Sequence, residues 1–387
     1  MSRTLAENWP ERVRAAFEDN FARGVEAGAA AAIWRDGAEE LSLFDGWRDA
    51  ARSLPWRADT MVLIWSATKG LAAACVLHAL ERRGVPLEAR VAEFWPEFGQ
   101  CGKESITVGQ VLSHRAGLGA LDAKDLSLLD HEGVTRAIER QVPLWSDGHG
   151  YGPRTFGFVA DEMVRRLADG VTLGNYFRAH FAEPLGLDLW IGLPPEYHAR
   201  VAQMLAPRST GCPEPEDAFA EALTDPGSFT RRAFASPGGV LGASAMNSPA
   251  VRGASLPSLG GIGSASALAK FYAMLAAGGA WGGVHYFSAH AFGHMTQTLS
   301  QGCDKVLHVE TAFAAGFMRD PVDRDGRKTR ATFGPSPRAF GHPGAGGSLA
   351  FADPDAGIGF AYVMNQMEAG VLPKRRAMAL VEALYGV

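Results

Sequence analysis

The chain has 387 residues, of which 47% are hydrophobic, 10% aromatic and 20% charged, and its net charge is −5. That composition excludes a disordered chain and supplies a large core, in one big domain or two lobes. With 37 basic against 42 acidic residues there is no electrostatic footprint for nucleic acid, and the short run RDGRKTR (324–330) reads as a solvated loop.

The N-terminal stretch MSRTLAENWPERVRAAFEDN carries charges throughout and no apolar signal core, and no apolar run is long enough to span a bilayer. The expectation is a cytoplasmic protein with no membrane partner. Cys75, Cys101, Cys212 and Cys303 are scattered without a C-x-x-C pair, so they read as free thiols, some of them core fillers.

Residues 8–24 have the spacing of an amphipathic helix. The segment AGAAAAIWRDGAEELSLFDGW (27–47) reads as a hairpin turning at Asp36-Gly37. From Ser66 to Arg83 the pattern is helical, with Gly84 as the stop. Residues 85–240 are mostly helices and loops: VGQVLSHR, TFGFVADEMVRRLADG and LGNYFRAHFAEPLG each carry helical spacing, and the later part is rich in Pro, Gly and Ser. GSASALAKFYAMLAAGG (263–279) is a further helix with Ser264 or Ser266 near its start. Residues 346–366 are two strands across Asp-Pro-Asp-Ala-Gly, and PKRRAMALVEALYG closes the chain as a helix.

Strands at both ends and helices between them imply one largely antiparallel sheet completed by sequence-distant segments. The expected class is α+β. Residues 1–62 and 240–387 form one discontinuous sheet lobe flanked by the terminal helices. Residues 63–239 form an inserted, mostly helical lobe, with the site between the two.

Three short motifs carry chemistry. In WSATKG (65–70), Ser66 and Lys69 lie one helical turn apart, so the amine reaches the hydroxyl. A serine needs a base, and a lysine serves only if burial lowers its pKa; the apolar flanks MVLIW and GLAAACVLHAL supply that burial. In HGYGPRTFG (149–157), Tyr151 is either a proton shuttle, its pKa lowered beside the lysine, or a half-buried helix-entry residue. In GHPGAGGSLAF (341–351), glycines allow close backbone approach ahead of a strand, and His342 could titrate near neutrality and donate a hydrogen bond.

The order S-x-x-K, loop Tyr, then H-x-G resembles the serine β-lactamase and penicillin-binding-protein superfamily, on its class C-like side, nearest to the family-eight carboxylesterases. LSHRAGL, FAEPLGLDLWIGLP, GGIGSASALAKFYAML and FADPDAGIGFAYVMN resemble segments of the same group, so the likeness spans the chain from the hairpin to the last helix. It implies a β-lactamase/transpeptidase-like fold. It also implies Ser66 as acylated nucleophile, Lys69 as its base, Tyr151 as proton relay and His342 in place of the third-motif cation, with Pro343 and Gly344 completing that motif. The oxyanion hole would be the backbone N–H groups of Ser66 and Ala345. Which of Lys69 and Tyr151 is the base in each step stays open.

Two departures point to neutral esters. Gly152 and Pro153 stand where β-lactam-cleaving relatives carry Y-x-N, and His342 replaces a permanent cation. The expected activity is a serine carboxylesterase on small esters. The alternatives are a β-lactamase, a D-amino-acid peptidase or short-amide hydrolase, an acyltransferase, or a slowly acylated penicillin-binding sensor. No metal or other cofactor is implied, since His285 and His308 have no ligand spacing. Trp65, Trp145 and Phe156 are candidates to line a substrate pocket or the core. Asn365 is a candidate contact to a substrate carboxylate, His114 and Arg115 read as structural, and Ser146-Asp147-Gly148 reads as a turn. Oligomeric state is not legible.

Overall fold

The computed structural model describes residues 5–208 and 218–387; Cys212 lies outside them. The strands, in chain order, are β1 (Gly28–Arg35), β2 (Ala38–Gly46), β3 (Val62–Leu63), β4 (Leu189–Ile191), β5 (Gly261–Gly263), β6 (Ala280–Trp281), β7 (Val284–His285), β8 (Ser300–Cys303), β9 (Glu310–Phe313), β10 (Met318–Arg319), β11 (Phe340–Pro343), β12 (Leu349–Asp353) and β13 (Ile358–Met364). Eight of them form one antiparallel sheet in the order β2-β1-β13-β12-β11-β10-β9-β8. Segments from near the two ends of the chain therefore meet one strand in from the β2 edge, where β1 pairs with β13, Ala31 opposite Tyr362.

The first hairpin turns at Asp36 and Gly37, with φ of 49° and 83°. Left-handed residues at both central positions match the twist of the flanking strands. In the late hairpin, the Asp353 carboxylate accepts the N–H groups of Asp355 and Ala356, and Gly357 takes φ 69°.

Helix Ala265–Ala276 lies on one face of the sheet, capped by Ser264, whose Oγ accepts from the Ala267 N–H at 3.2 Å. Contact with β13 is so close that a Cβ on Gly359 would sit 2.1 Å from Ala273 N. Phe271 on this helix meets Phe177 and Phe181 at 5.8 and 6.0 Å. Full burial of such a side chain contributes about 1.5–3 kcal/mol, and here it joins the helix on the sheet to the segment around residues 177–181. On the other face, Tyr362 reaches Glu26, which is paired with Arg376 of the last helix (Arg375–Tyr385). That helix packs on the first, Trp9–Ala22.

LGNYFRAHFAEPLG is not one regular helix. It runs α over Leu173–Phe177, widens to a π turn over Arg178–Ala182, and resumes over Glu183–Leu185. Pro184 has no N–H to offer the preceding turn and its ring crowds that turn's carbonyl, so the ladder opens ahead of it. Cys75 is buried, Cys101 and Cys303 are exposed, and all three are free. Among the described residues no helix is long and apolar enough to cross a membrane.

A second, three-stranded sheet in the order β3-β5-β4 sits beside the helix carrying Lys69 (Thr68–Arg83). Leu63 pairs with Ile262, and Ile64 N–H donates to Gly261 O at 2.9 Å. This pairing brings the segment before β5, with Ser258, against the segment after β3, with Ser66.

Candidate active site

Ser66 does not open the α-helix directly. It lies on a 3₁₀ turn, Trp65–Ala67, and the α-helix starts at Thr68. Trp65 is held at φ 49°, a conformation that non-glycine residues rarely adopt. Thr68 pins the turn, its hydroxyl donating to Trp65 O and accepting from Gly261 N–H. The Ser66 N–H has no acceptor among the described residues.

Lys69 is fully buried. Its Nζ lies 3.3 Å from Ser66 Oγ, 2.9 Å from Pro153 O and 2.8 Å from Ser258 O. No carboxylate among the described residues pairs with it, and burial holds its pKa well below the ordinary lysine value. The two carbonyls can only accept. A neutral amine gives them its two N–H bonds and keeps one lone pair for the Ser66 hydroxyl.

Tyr151 completes the group. Its hydroxyl is hydrogen-bonded to Ser66, and Lys69 Nζ stands 4.8 Å from its ring centre. The phenol pKa is raised, not lowered as the sequence suggested: burial dominates, and the hydrogen bond to Ser66 offsets only part of it.

The turn after β11 passes against the Ser66 entry. A Cβ on Gly344 would lie 2.3 Å from Ile64 O and 3.2 Å from Trp65 Cβ, so only glycine permits this approach. Ser348 Oγ donates to Ile64 O at 3.1 Å, tying the two segments together. Next in line, the Ala345 N–H also has no acceptor among the described residues. His342 is buried, its ring 5.9 Å from that of Tyr151. Its Nδ1 is 2.7 Å from Pro343 O. A carbonyl cannot donate, so Nδ1 carries the proton, and Nε2 is a lone-pair acceptor, buried without a partner. Burial, then the nearby Lys69, lowers its pKa to about 3. The expectation of a histidine titrating near neutrality is thereby corrected: the imidazole stays neutral, and its one N–H is already committed.

Other sequence candidates lie around this group. Trp65 is half-buried, with an unpartnered indole N–H. Trp145 packs over Gly119 and Gly150, where a Cβ would meet its ring at 2.7 Å, and edge-on to Phe229 at 5.3 Å. Phe156 is buried 5.1 Å from the His114 ring. Asn365 is fully buried, with Nδ2 donating to Trp47 O at 3.0 Å. Its amide thus holds the end of the first hairpin, and its Oδ1 has no partner.

Two supports escaped the sequence reading. Asp304, fully buried, accepts the Tyr151 N–H on both carboxylate oxygens at 3.1 Å, together with the N–H groups of Val306 and Leu307 and the Thr311 hydroxyl. Only its local turn (Asp304 to Val306 and Leu307) has a sequence signal, an Asx turn; the reach to Tyr151 has none. Ser258 offers its carbonyl to Lys69, while its hydroxyl donates to Arg154 O and accepts from Gly157 N–H. His114 accepts the Gly152 N–H at 3.2 Å, which holds the loop just past Tyr151.

Half-buried Ser66 thus meets the buried Lys69 and Tyr151 beside two backbone N–H groups that have no acceptor among the described residues. The family model described as β-lactamase matches residues 13–385. The chain belongs to the β-lactamase family. It is 33% identical to an esterase/β-lactamase, LipL, of Mycobacterium tuberculosis, over 91% of this chain and 80% of that protein. The crystal structure of a penicillin-binding protein homologue from Caulobacter crescentus shares 35% identity with a TM-score of 0.85, covering 99% of this chain and 98% of that one. A family VIII carboxylesterase shares 34% identity with a TM-score of 0.86 over the same fractions. The protein is thus a serine hydrolase of the β-lactamase fold.

Proposed function

We propose that this β-lactamase-family member is a carboxylesterase that acts on small esters with uncharged acyl groups through a Ser66 acyl-enzyme. The observation that carries the proposal is the donor count at Lys69: two carbonyl acceptors consume both N–H bonds of the neutral amine and leave its lone pair to Ser66.

Lys69 takes the hydroxyl proton as Ser66 Oγ attacks the ester carbon, and the carbonyl π electrons move onto oxygen. The Ser66 and Ala345 N–H groups, unpaired among the described residues, receive that oxyanion. Tyr151, protonated because of its raised pKa, gives its proton to the departing alcohol oxygen as the C–O bond breaks. The ammonium of Lys69 then returns a proton to the phenolate. Deacylation runs this route in reverse with water in place of the alcohol: the water proton passes through Tyr151 to Lys69 as its oxygen attacks the acyl carbon, and Ser66 Oγ leaves as it takes a proton back from Lys69.

His342 offers no positive charge to a substrate carboxylate, and Pro153 offers neither an amide side chain nor an N–H. Both features favour neutral esters over β-lactams that carry a carboxylate. The test is turnover of p-nitrophenyl butyrate and nitrocefin by wild type and Ser66→Ala. Ester turnover that far exceeds nitrocefin turnover and disappears in S66A supports the proposal. Equal ester turnover by the variant removes the nucleophile, and faster nitrocefin turnover reassigns the substrate.

A further inference from the structure

Away from the Ser66 site, helix Ala289–Thr296 carries His290 and His294 one turn apart, on the face next to the far end of the Lys69 helix. Their Nε2 atoms are 3.2 Å apart, with ring centres at 4.5 Å and planes at 73°. Two nitrogens bound to one tetrahedral ion at the usual metal–nitrogen length are about 3.3 Å apart. We propose that His290 and His294 form a two-imidazole binding site for a late first-row divalent metal ion.

The surroundings suit a cation. Both rings border a pocket of about 230 Å³ that also includes the Glu81 side chain. Glu81 sits at the end of the Lys69 helix, and its carboxylate accepts the Ser288 N–H at 3.1 and 3.4 Å, anchoring the start of the histidine helix. Glu88 adds a second negative field at His294. The other wall is apolar, with Leu77, Leu80, Val85 and Leu87. Among the described residues no three His, Cys, Asp or Glu side chains converge as a metal-binding group. The two imidazoles are therefore the protein's whole share of the coordination, and solvent fills the remaining positions. In the metal-free pair one imidazole donates Nε2–H to the other. Binding requires only that this proton move to Nδ1 of the same ring, so that both Nε2 lone pairs face the ion.

Imidazole selects borderline ions over hard ones, so the expected order is Cu²⁺ above Ni²⁺ and Zn²⁺, with no binding of Mg²⁺ or Ca²⁺. The experiment is calorimetric titration of untagged, EDTA-stripped full-length protein with each chloride salt. The expected result is one Cu²⁺, Ni²⁺ or Zn²⁺ per chain, with affinity lowered at least tenfold in both His290→Ala and His294→Ala. The unfolding temperature of wild type should rise with added Zn²⁺, while that of either variant should not. Unchanged metal-free unfolding and ester turnover show that the variants are folded, because both positions lie outside the catalytic group. Absence of binding in wild type, or binding that survives both substitutions, overturns the site.

Discussion

Gly344→Ala tests whether the turn after β11 and the Ser66 entry must touch. The added Cβ would lie 2.3 Å from Ile64 O, whereas ordinary contact begins at 3.4 Å, so the two segments must part by 3.4 − 2.3 = 1.1 Å. The nearer clash, 2.1 Å to Ser348 Oγ, can be relieved by rotating a side chain, but the one with Ile64 involves backbone on both sides. A misplacement of about 1 Å costs on the order of 10²-fold in rate, and loss of one oxyanion donor costs about 10²–10³-fold. Overpacking of this kind destabilises by about 1–3 kcal/mol, which leaves a domain of this size folded at 25 °C. G344A should therefore lower kcat for p-nitrophenyl butyrate about 100-fold, with a lesser change in KM and a modest fall in Tm. A variant with normal Tm and kcat within twofold of wild type would refute the convergence of the Ser66 and Ala345 N–H groups on one oxyanion.

Tyr151→Phe keeps the ring stacked on Phe313, 6.2 Å away, and removes only the hydroxyl. Steady-state kinetics should show kcat reduced about 10²–10⁴-fold with Tm nearly unchanged. For Lys69, the folded pKa lies below the unfolded value of about 10.4. Between the two, the unfolded chain binds the extra proton, so stability rises with pH up to the unfolded value and then levels off. Urea unfolding across that range should show a shallower slope for Lys69→Met, which should also be inactive. His342 has a folded pKa of about 3 against about 6.5 unfolded, so stability is lost as pH falls from 6.5 towards 3. His342→Asn should remove part of that loss in urea titrations at pH 7, 5 and 4; His114 and His78, shifted the same way, retain the rest. Asp304→Ala strips the acceptor from three buried N–H groups, including that of Tyr151. It should cost about 3 kcal/mol or more in chemical denaturation and depress kcat more than KM.

The sequence by itself was enough for the class, the longer helices and the two hairpins, but not for the short strands β3 to β11. Apolar periodicity marked the helices, and turn chemistry at Asp36-Gly37 and at residues 353–357 marked both hairpins, because helix and turn preferences are local properties of a few adjacent residues. The S-x-x-K spacing likewise placed Ser66 and Lys69 on one face, since one helical turn is a local distance. Tertiary structure decided what those side chains are chemically. The Lys69 amine titrates well below an ordinary lysine because the segments around Pro153 and Ser258, 84 and 189 residues away, bury it from water. The Tyr151 pKa is raised and that of His342 lowered because burial, which depends on the whole fold, outweighs the opposing hydrogen bonds to Ser66 and Pro343, while the nearby charges of Asp304 and Lys69 push the same way as burial. Asp304 joined the site through a contact 153 residues long, and no residue pattern encodes such a contact. Protonation and close approach are set by which distant segments exclude water, and that is fixed only when the chain has folded.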